Sequence, residues 1–224
     1  MQNAYSWDFG ALLPYAPVFW NGLLVTLGFT VSTVLAGLVV GLFTGLLRLP
    51  KVTRWVSVPV QVWTEIFRCT PLLVLLVWAY YALPVLIGVD LSAGTACFIA
   101  LTFYAGAFYA EIFRGGIEAI DKGQWEAGRA IGMRRGKIFA RIILPQSVPL
   151  MIPALINQTI LQLKNTSLVS AVAVGDLLYQ GTVITGASFR PLEVYTVIAA
   201  IYFAILFPLT LVANRIEKRL GASK

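Results

Sequence analysis

Ten side chains in this sequence set charge or hydrogen-bonding capacity among apolar neighbours: Glu65, Arg68, Asn157, Gln158, Gln162, Lys164, Asn165, Thr166, Ser167 and Asp176. Their chemistry is recognition rather than bond-making. A cation such as Arg68 or Lys164 suits a carboxylate, while Asn, Gln, Ser and Thr suit an ammonium or a polar side chain. Nothing nearby activates a nucleophile. The chain has no histidine, the commonest general base and metal ligand. Cys, Asp and Glu do not cluster at metal-ligand spacing. The string nearest to a phosphate-binding loop runs from Gly132 to Ile138. It places three residues between its glycines where that loop needs four, and Ile138 where a Mg²⁺-binding Ser or Thr belongs. The chain is therefore expected not to be an enzyme and to hold no cofactor of its own.

The elements that must position these side chains are membrane spans. The sequence is 58% hydrophobic and 12% charged, against about 25% charged in an ordinary soluble domain. Its mean hydropathy is +0.81. Such a chain reads as an all-α integral membrane protein. The net charge of +7 invites a nucleic-acid reading, but the positions of the charges oppose it. Of 17 Lys and Arg, 14 fall in three clusters: Arg48, Lys51 and Arg54; seven residues from Arg114 to Arg141; and Arg215, Lys218, Arg219 and Lys224. These bracket apolar runs, as the positive-inside rule requires. Five spans follow, at about residues 20–47, a second from beyond Arg54 to Val89, then 92–110, 146–163 and 194–214. The N-terminus is then external and the C-terminus cytoplasmic. A six-span alternative divides residues 164–190.

Ionisable groups at bilayer depth are costly, which makes Arg68, Glu65 and Lys164 functional candidates. Glu65 and Arg68 also stand three apart on one helix and can pair with each other. Asn157, Gln158 and Gln162 either face a cavity or bond between helices. Residues 163–186 mix polar and apolar patches and read as a broken or re-entrant segment lining a cavity. Gly37, Gly41 and Gly45 form a small-residue stripe expected to pack within the chain rather than across a dimer. Pro71 and Pro84 are expected to kink or end the second span. Cys69 and Cys97 read as buried small hydrophobes without a disulfide. Residues 1–19, with Trp7, Phe9, Tyr15 and Phe19, read as an external interfacial segment and not as a cleaved signal. The transmembrane region is then 20–217, with a polar loop at 122–145 and a tail at 218–224.

The longest stretch unable to sit in a membrane is Gln124 to Pro145. A short helix, Gln124 to Ile131, is expected to end at Gly132. A basic helix, about Arg134 to Ile143, is expected to stop ahead of Pro145, because a residue before proline is pushed out of the α region. The spacing of Glu126-Ala127-Gly128, Gly132 and Ile142-x-Leu144-Pro145 resembles the EAA loop of ABC importer permeases. Gly128 is the one departure, standing where the family usually has Ala.

That resemblance implies a coupling helix docked in a cleft of a cytoplasmic ATPase, with Glu126, Ala127, Gly128, Ile131 and Gly132 as its contact residues. The segments Phe67-Arg68-Cys69-Thr70-Pro71-Leu72-Leu73, Tyr80-Tyr81 and Leu163 to Leu168 are similar to the polar amino-acid branch of that family. The branch comprises the histidine, glutamine and glutamate/aspartate uptake type.

The implied fold is a type I ABC importer permease of five transmembrane helices in a bacterial inner membrane. The implied partners are an ATPase dimer that binds ATP and Mg²⁺, a second permease subunit, and an external solute-binding protein. A small polar amino acid is the implied substrate, with no nucleic acid. Its candidate contacts are Arg68, Asn157, Gln158, Gln162, Lys164, Asn165, Thr166 and Ser167. The competing reading is an ATP-independent secondary amino-acid transporter or channel, which would move substrate on an ion gradient alone.

Overall fold

A computed structural model describes residues 5–49 and 53–221. Lys51 and Lys224 of the basic clusters lie outside the described residues, as do the first four residues of the interfacial segment and the last three of the tail. Among the described residues every regular element is helical: α1 Ala16–Leu47, α2 Arg54–Cys69, α3 Leu72–Ile87, α4 Ala93–Glu118, α5 Lys122–Ala130, α6 Arg135–Ile138, α7 Leu144–Asn165, α8 Leu177–Ser188 and α9 Pro191–Gly221. Four helical stretches are long and apolar enough to cross a membrane. The pair α2 and α3, bent by 109°, makes a fifth if counted as one broken span.

The small-residue stripe explains how the bundle is held. Gly37, Gly41 and Gly45 recur every fourth residue and so share one face of α1. A Cβ at Gly37 would sit 2.8 Å from Ala105 Cβ, and one at Gly45 would sit 2.7 Å from the Ala110 carbonyl. At Gly41 it would lie 2.5 Å from Tyr109 Cβ. Gly106 returns the fit, since a Cβ there would press on Val40 at 2.7 Å. Numbers rise together on both helices, so α1 and α4 run parallel with backbones in contact. The stripe therefore packs within the chain, as expected. α7 runs antiparallel to α4: Tyr109 meets Thr159 at 3.0 Å, while Gln162 reaches the Leu101 carbonyl at 3.3 Å.

Proline sets the break between α2 and α3. Thr70 is extended, at φ −94° and ψ 131°, ahead of Pro71. Pro84 instead sits inside the last turn of α3, which ends at Gly88 with φ +68°. Pro145 corrects the expectation of a stop. Leu144 before it stays α-helical at φ −59° and ψ −45°. One wide turn over Phe139–Ile143 joins α6 to α7, with the Leu144 N–H reaching back to the Phe139 carbonyl. Proline in the first turn of α7 lacks only an N–H that a helix start leaves unbonded. The Gln146 side chain covers the Ile142 carbonyl at 2.7 Å.

Two further boundaries differ from the sequence reading. The third span continues to Glu118 rather than stopping near Ala110. Residues 163–186 are largely helical: the end of α7, a 3₁₀ turn over Thr166–Val172, and α8. With 12 residues, α8 rises about 18 Å, too short for a hydrocarbon core of about 30 Å, so the six-span alternative falls. Cys97 is buried but Cys69 is exposed, and both are free thiols.

Opposite the basic end, Arg190 bonds Glu193 at 3.0 Å and lies 3.7 Å from Asp8. The Tyr5 hydroxyl donates to Glu193, and that hydrogen bond holds the phenol above its ordinary pKa. These contacts pin the N-terminal segment to the start of α9. Trp7 and Phe9 stack at 5.6 Å and remain exposed, as suits an interface.

Candidate functional site

The residues singled out by sequence fall into three places. The first is the knob formed by α5 and α6. Asp121 caps α5 by accepting from the Gly123 N–H at 2.7 Å. The helix closes in a Schellman turn: the Met133 N–H bonds the Gly128 carbonyl at 3.0 Å and the Gly132 N–H bonds that of Arg129 at 3.0 Å. Gly132 carries φ +75°, the left-handed conformation this turn requires.

Glu126, Ala127, Ile131 and Gly132 are all exposed, Ile131 to 76%. Gly128 faces the other way. It is buried, and a Cβ there would lie 2.8 Å from Ile138 Cγ1. The departure from Ala at this position therefore lets α5 lie directly on Ile138. Beneath, Ile117, Ile120, Ile143 and Met151 complete a core that joins the knob to α4 and α7.

The second place surrounds Arg68. The expected pair with Glu65 forms at 3.2 Å, and Arg68 also lies 3.9 Å from Glu111. Arg48, at the end of α1, bonds Glu111 at 2.6 Å. Arg114 bonds both Glu111 and Glu118. Glu111 is thus a hub for three arginines from α1, α2 and α4. Sequence reasoning missed it because Arg48 and Glu111 stand 63 residues apart. The Arg68 guanidinium covers the Phe108 ring at 5.8 Å. Phe108 rests on Tyr104 at 4.9 Å, and the Tyr104 hydroxyl faces Asn165. Arg68 and Asn165 are therefore joined along one aromatic face of α4. Tyr104 and Phe108, four apart, carried the available signal.

The third place is α7, whose polar residues divide between two faces. Gln162 is fully buried and donates to Thr33 Oγ1 at 3.1 Å and to the Leu101 carbonyl at 3.3 Å. Gln158 is also buried, and buried Thr166 donates to the Leu163 carbonyl at 2.6 Å. Ser167 donates to the Lys164 carbonyl at 2.8 Å. Asn157 and Lys164, seven apart, lie on the exposed face. Asp176 is fully buried and caps α8 by accepting from the Tyr179 N–H at 2.9 Å. Among the described residues no group of His, Cys, Asp and Glu is arranged to hold a metal.

Residues 37–222 match the family model described as "Binding-protein-dependent transport system inner membrane component". The chain is 32% identical to the arginine transport system permease protein ArtQ of Bacillus subtilis (strain 168), over 96% of this chain and 98% of that one. It is 34% identical to the glutamine transport system permease protein GlnP of Escherichia coli (strain K12), over 95% and 97%. Its fold is similar to a chain of the crystal structure of an amino acid ABC transporter with histidines. The TM-score there is 0.88 at 34% identity, covering 96% of this chain and all of that chain. A chain of the inward-facing MetNI methionine ABC transporter shares the fold alone, with a TM-score of 0.77 at 23% identity. The chain therefore belongs to the binding-protein-dependent transport system inner membrane components, the permease subunits of ABC transporters.

Proposed function

We propose that this chain is the permease subunit of an ATP-driven importer that carries a polar amino acid inward across a bacterial inner membrane. The amino acid arrives from an external solute-binding protein and passes by alternating access. The N-terminus lies outside and the C-terminus in the cytoplasm. A second permease subunit, identical or homologous, completes the path, and a cytoplasmic ATPase dimer binds ATP and Mg²⁺.

The observation that carries this reading is the knob. It exposes Glu126, Ala127 and Ile131, and Gly128 and Ile138 lock it onto the core beneath α4 and α7. A push on such a knob moves two spans as one body, which coupling between two states requires. Gly132 ends the contact helix and fixes its exit. On the substrate side, Arg68, Asn157, Lys164 and Asn165 face open surface or its margin and offer a cation and amides to an α-carboxylate. Gln162, bonded to Thr33 of α1 and to Leu101 of α4, holds α7 in the phase that presents them.

The test is uptake by the complete transporter in proteoliposomes charged with ATP. Glu126→Lys and Gly132→Pro should abolish uptake while the protein still inserts and assembles. Wild-type uptake by either variant, or uptake on an ion gradient without ATP, would end the proposal.

A further inference from the structure

At the basic end of the bundle a cleft of about 880 Å³ opens between the knob and the ends of α1 and α4. Its wall is apolar, built from Leu46, Leu49, Ile117, Ile120 and the ring of Phe139. Its rim is cationic. Lys122, Arg129 and Arg135 all line it. Among the described residues none of the three takes part in an ion pair. Two carboxylates also reach the lining, Glu118 and Glu126, and Glu118 is already engaged by Arg114. Positive charge remains in surplus. Arg135 stands over the Trp125 ring at 6.0 Å, which holds its guanidinium beside the mouth.

An apolar trough under a positive rim fits an anionic amphiphile. The volume is that of a small-molecule site. The site lies where the long apolar helices α1 and α4 give way to polar chain. The clustering of Lys and Arg at this end puts it on the inner leaflet, which carries anionic lipid. We propose that this cleft binds an anionic phospholipid, with one acyl chain against Leu46, Leu49 and Ile120 and the phosphate held by Lys122, Arg129 and Arg135. The lipid then wedges between the contact helix and the spans it is meant to move. This goes beyond the proposed transport function and does not depend on it, because lipid occupancy is measurable without substrate.

The full transporter is purified from nanodiscs of phosphatidylcholine doped with phosphatidylglycerol, and retained lipid is counted by native mass spectrometry. Lys122→Gln/Arg135→Gln should lower phosphatidylglycerol retention about thirtyfold, as expected for two headgroup cations lost at about 1 kcal/mol each. Equal retention by wild type and variant would overturn the proposal, as would equal retention of phosphatidylcholine. A phosphatidylglycerol with a photoreactive acyl chain tests unmodified protein and is indifferent to any folding defect of the variant. Cross-links should fall in peptides spanning 46–49 and 117–120. Cross-links confined to other surfaces refute the site. So does complete protection by inorganic phosphate, which would mean that only the anion is read, or by bound ATPase, which would mean that the cleft belongs to a protein partner.

Discussion

Glycine does opposite work at the two ends of the path from knob to membrane. In the α1–α4 seam, Gly37, Gly41 and Gly45 are present because nothing larger fits between two backbones. At Gly132 a Cβ would meet no atom within 4 Å, and the residue is required by its φ of +75°. The seam is a space constraint that makes two spans one body. The turn is a conformational constraint that aims a short helix. A lever needs both a stiff arm and a defined handle, and the same residue type supplies each by a different physical route.

The comparison breaks most readily at the seam. Gly41→Leu forces a side chain into Tyr109 and the α4 backbone and should cost about 3 kcal/mol through overpacking. Thermal unfolding in detergent should then show an early loss of the native peak. An unchanged midpoint would mean that the helices can separate and that the arm is not stiff.

Next comes Glu111→Gln. It leaves Arg48, with an 8% exposed side chain, facing Arg68 and Arg114 without their shared carboxylate. Removing one partner of such a network should cost about 2 kcal/mol, and adding Arg48→Met should restore part of it. If the double variant unfolds no later than the single, the hub is not what ties α1 to α4 at this end.

The two faces of α7 sharpen the picture further. Gln162→Ala loses two interhelical bonds and should cost about 1–2 kcal/mol. Asn157→Ala, on the exposed face, should change stability by less than about 0.5 kcal/mol and act on uptake instead. The reverse pattern would exchange their assigned roles. A modest effect is expected at the handle. Gly132→Ala strains a left-handed position and should cost about 1 kcal/mol or less, with asparagine there nearly neutral. A loss of stability as large as that of Gly41→Leu would show that the turn is part of the fold rather than only its pointer.

The sequence by itself determined a great deal. Apolar runs and basic clusters are local properties, and they dictated a helical membrane protein with four helices long enough to span and a fifth candidate span bent at Pro71. The fourfold glycine spacing marked the face of α1 that takes a neighbour, and the pattern from Glu126 to Pro145 marked the knob. Tertiary structure decided the rest, because it depends on which helices become neighbours. Composition treats Asn157, Gln158 and Gln162 alike, yet a helix turns about 100° per residue, and only the positions of α1 and α4 made one face interior. Gly128 was only a departure from the family's Ala until Ile138 proved to lie beneath it. Pro145 looked like a stop until one wide turn carried the helix past it. Glu111 became a hub only when the end of α1 came down beside it. Local periodicity fixes what each helix is, whereas contacts across the fold fix what each side chain is for.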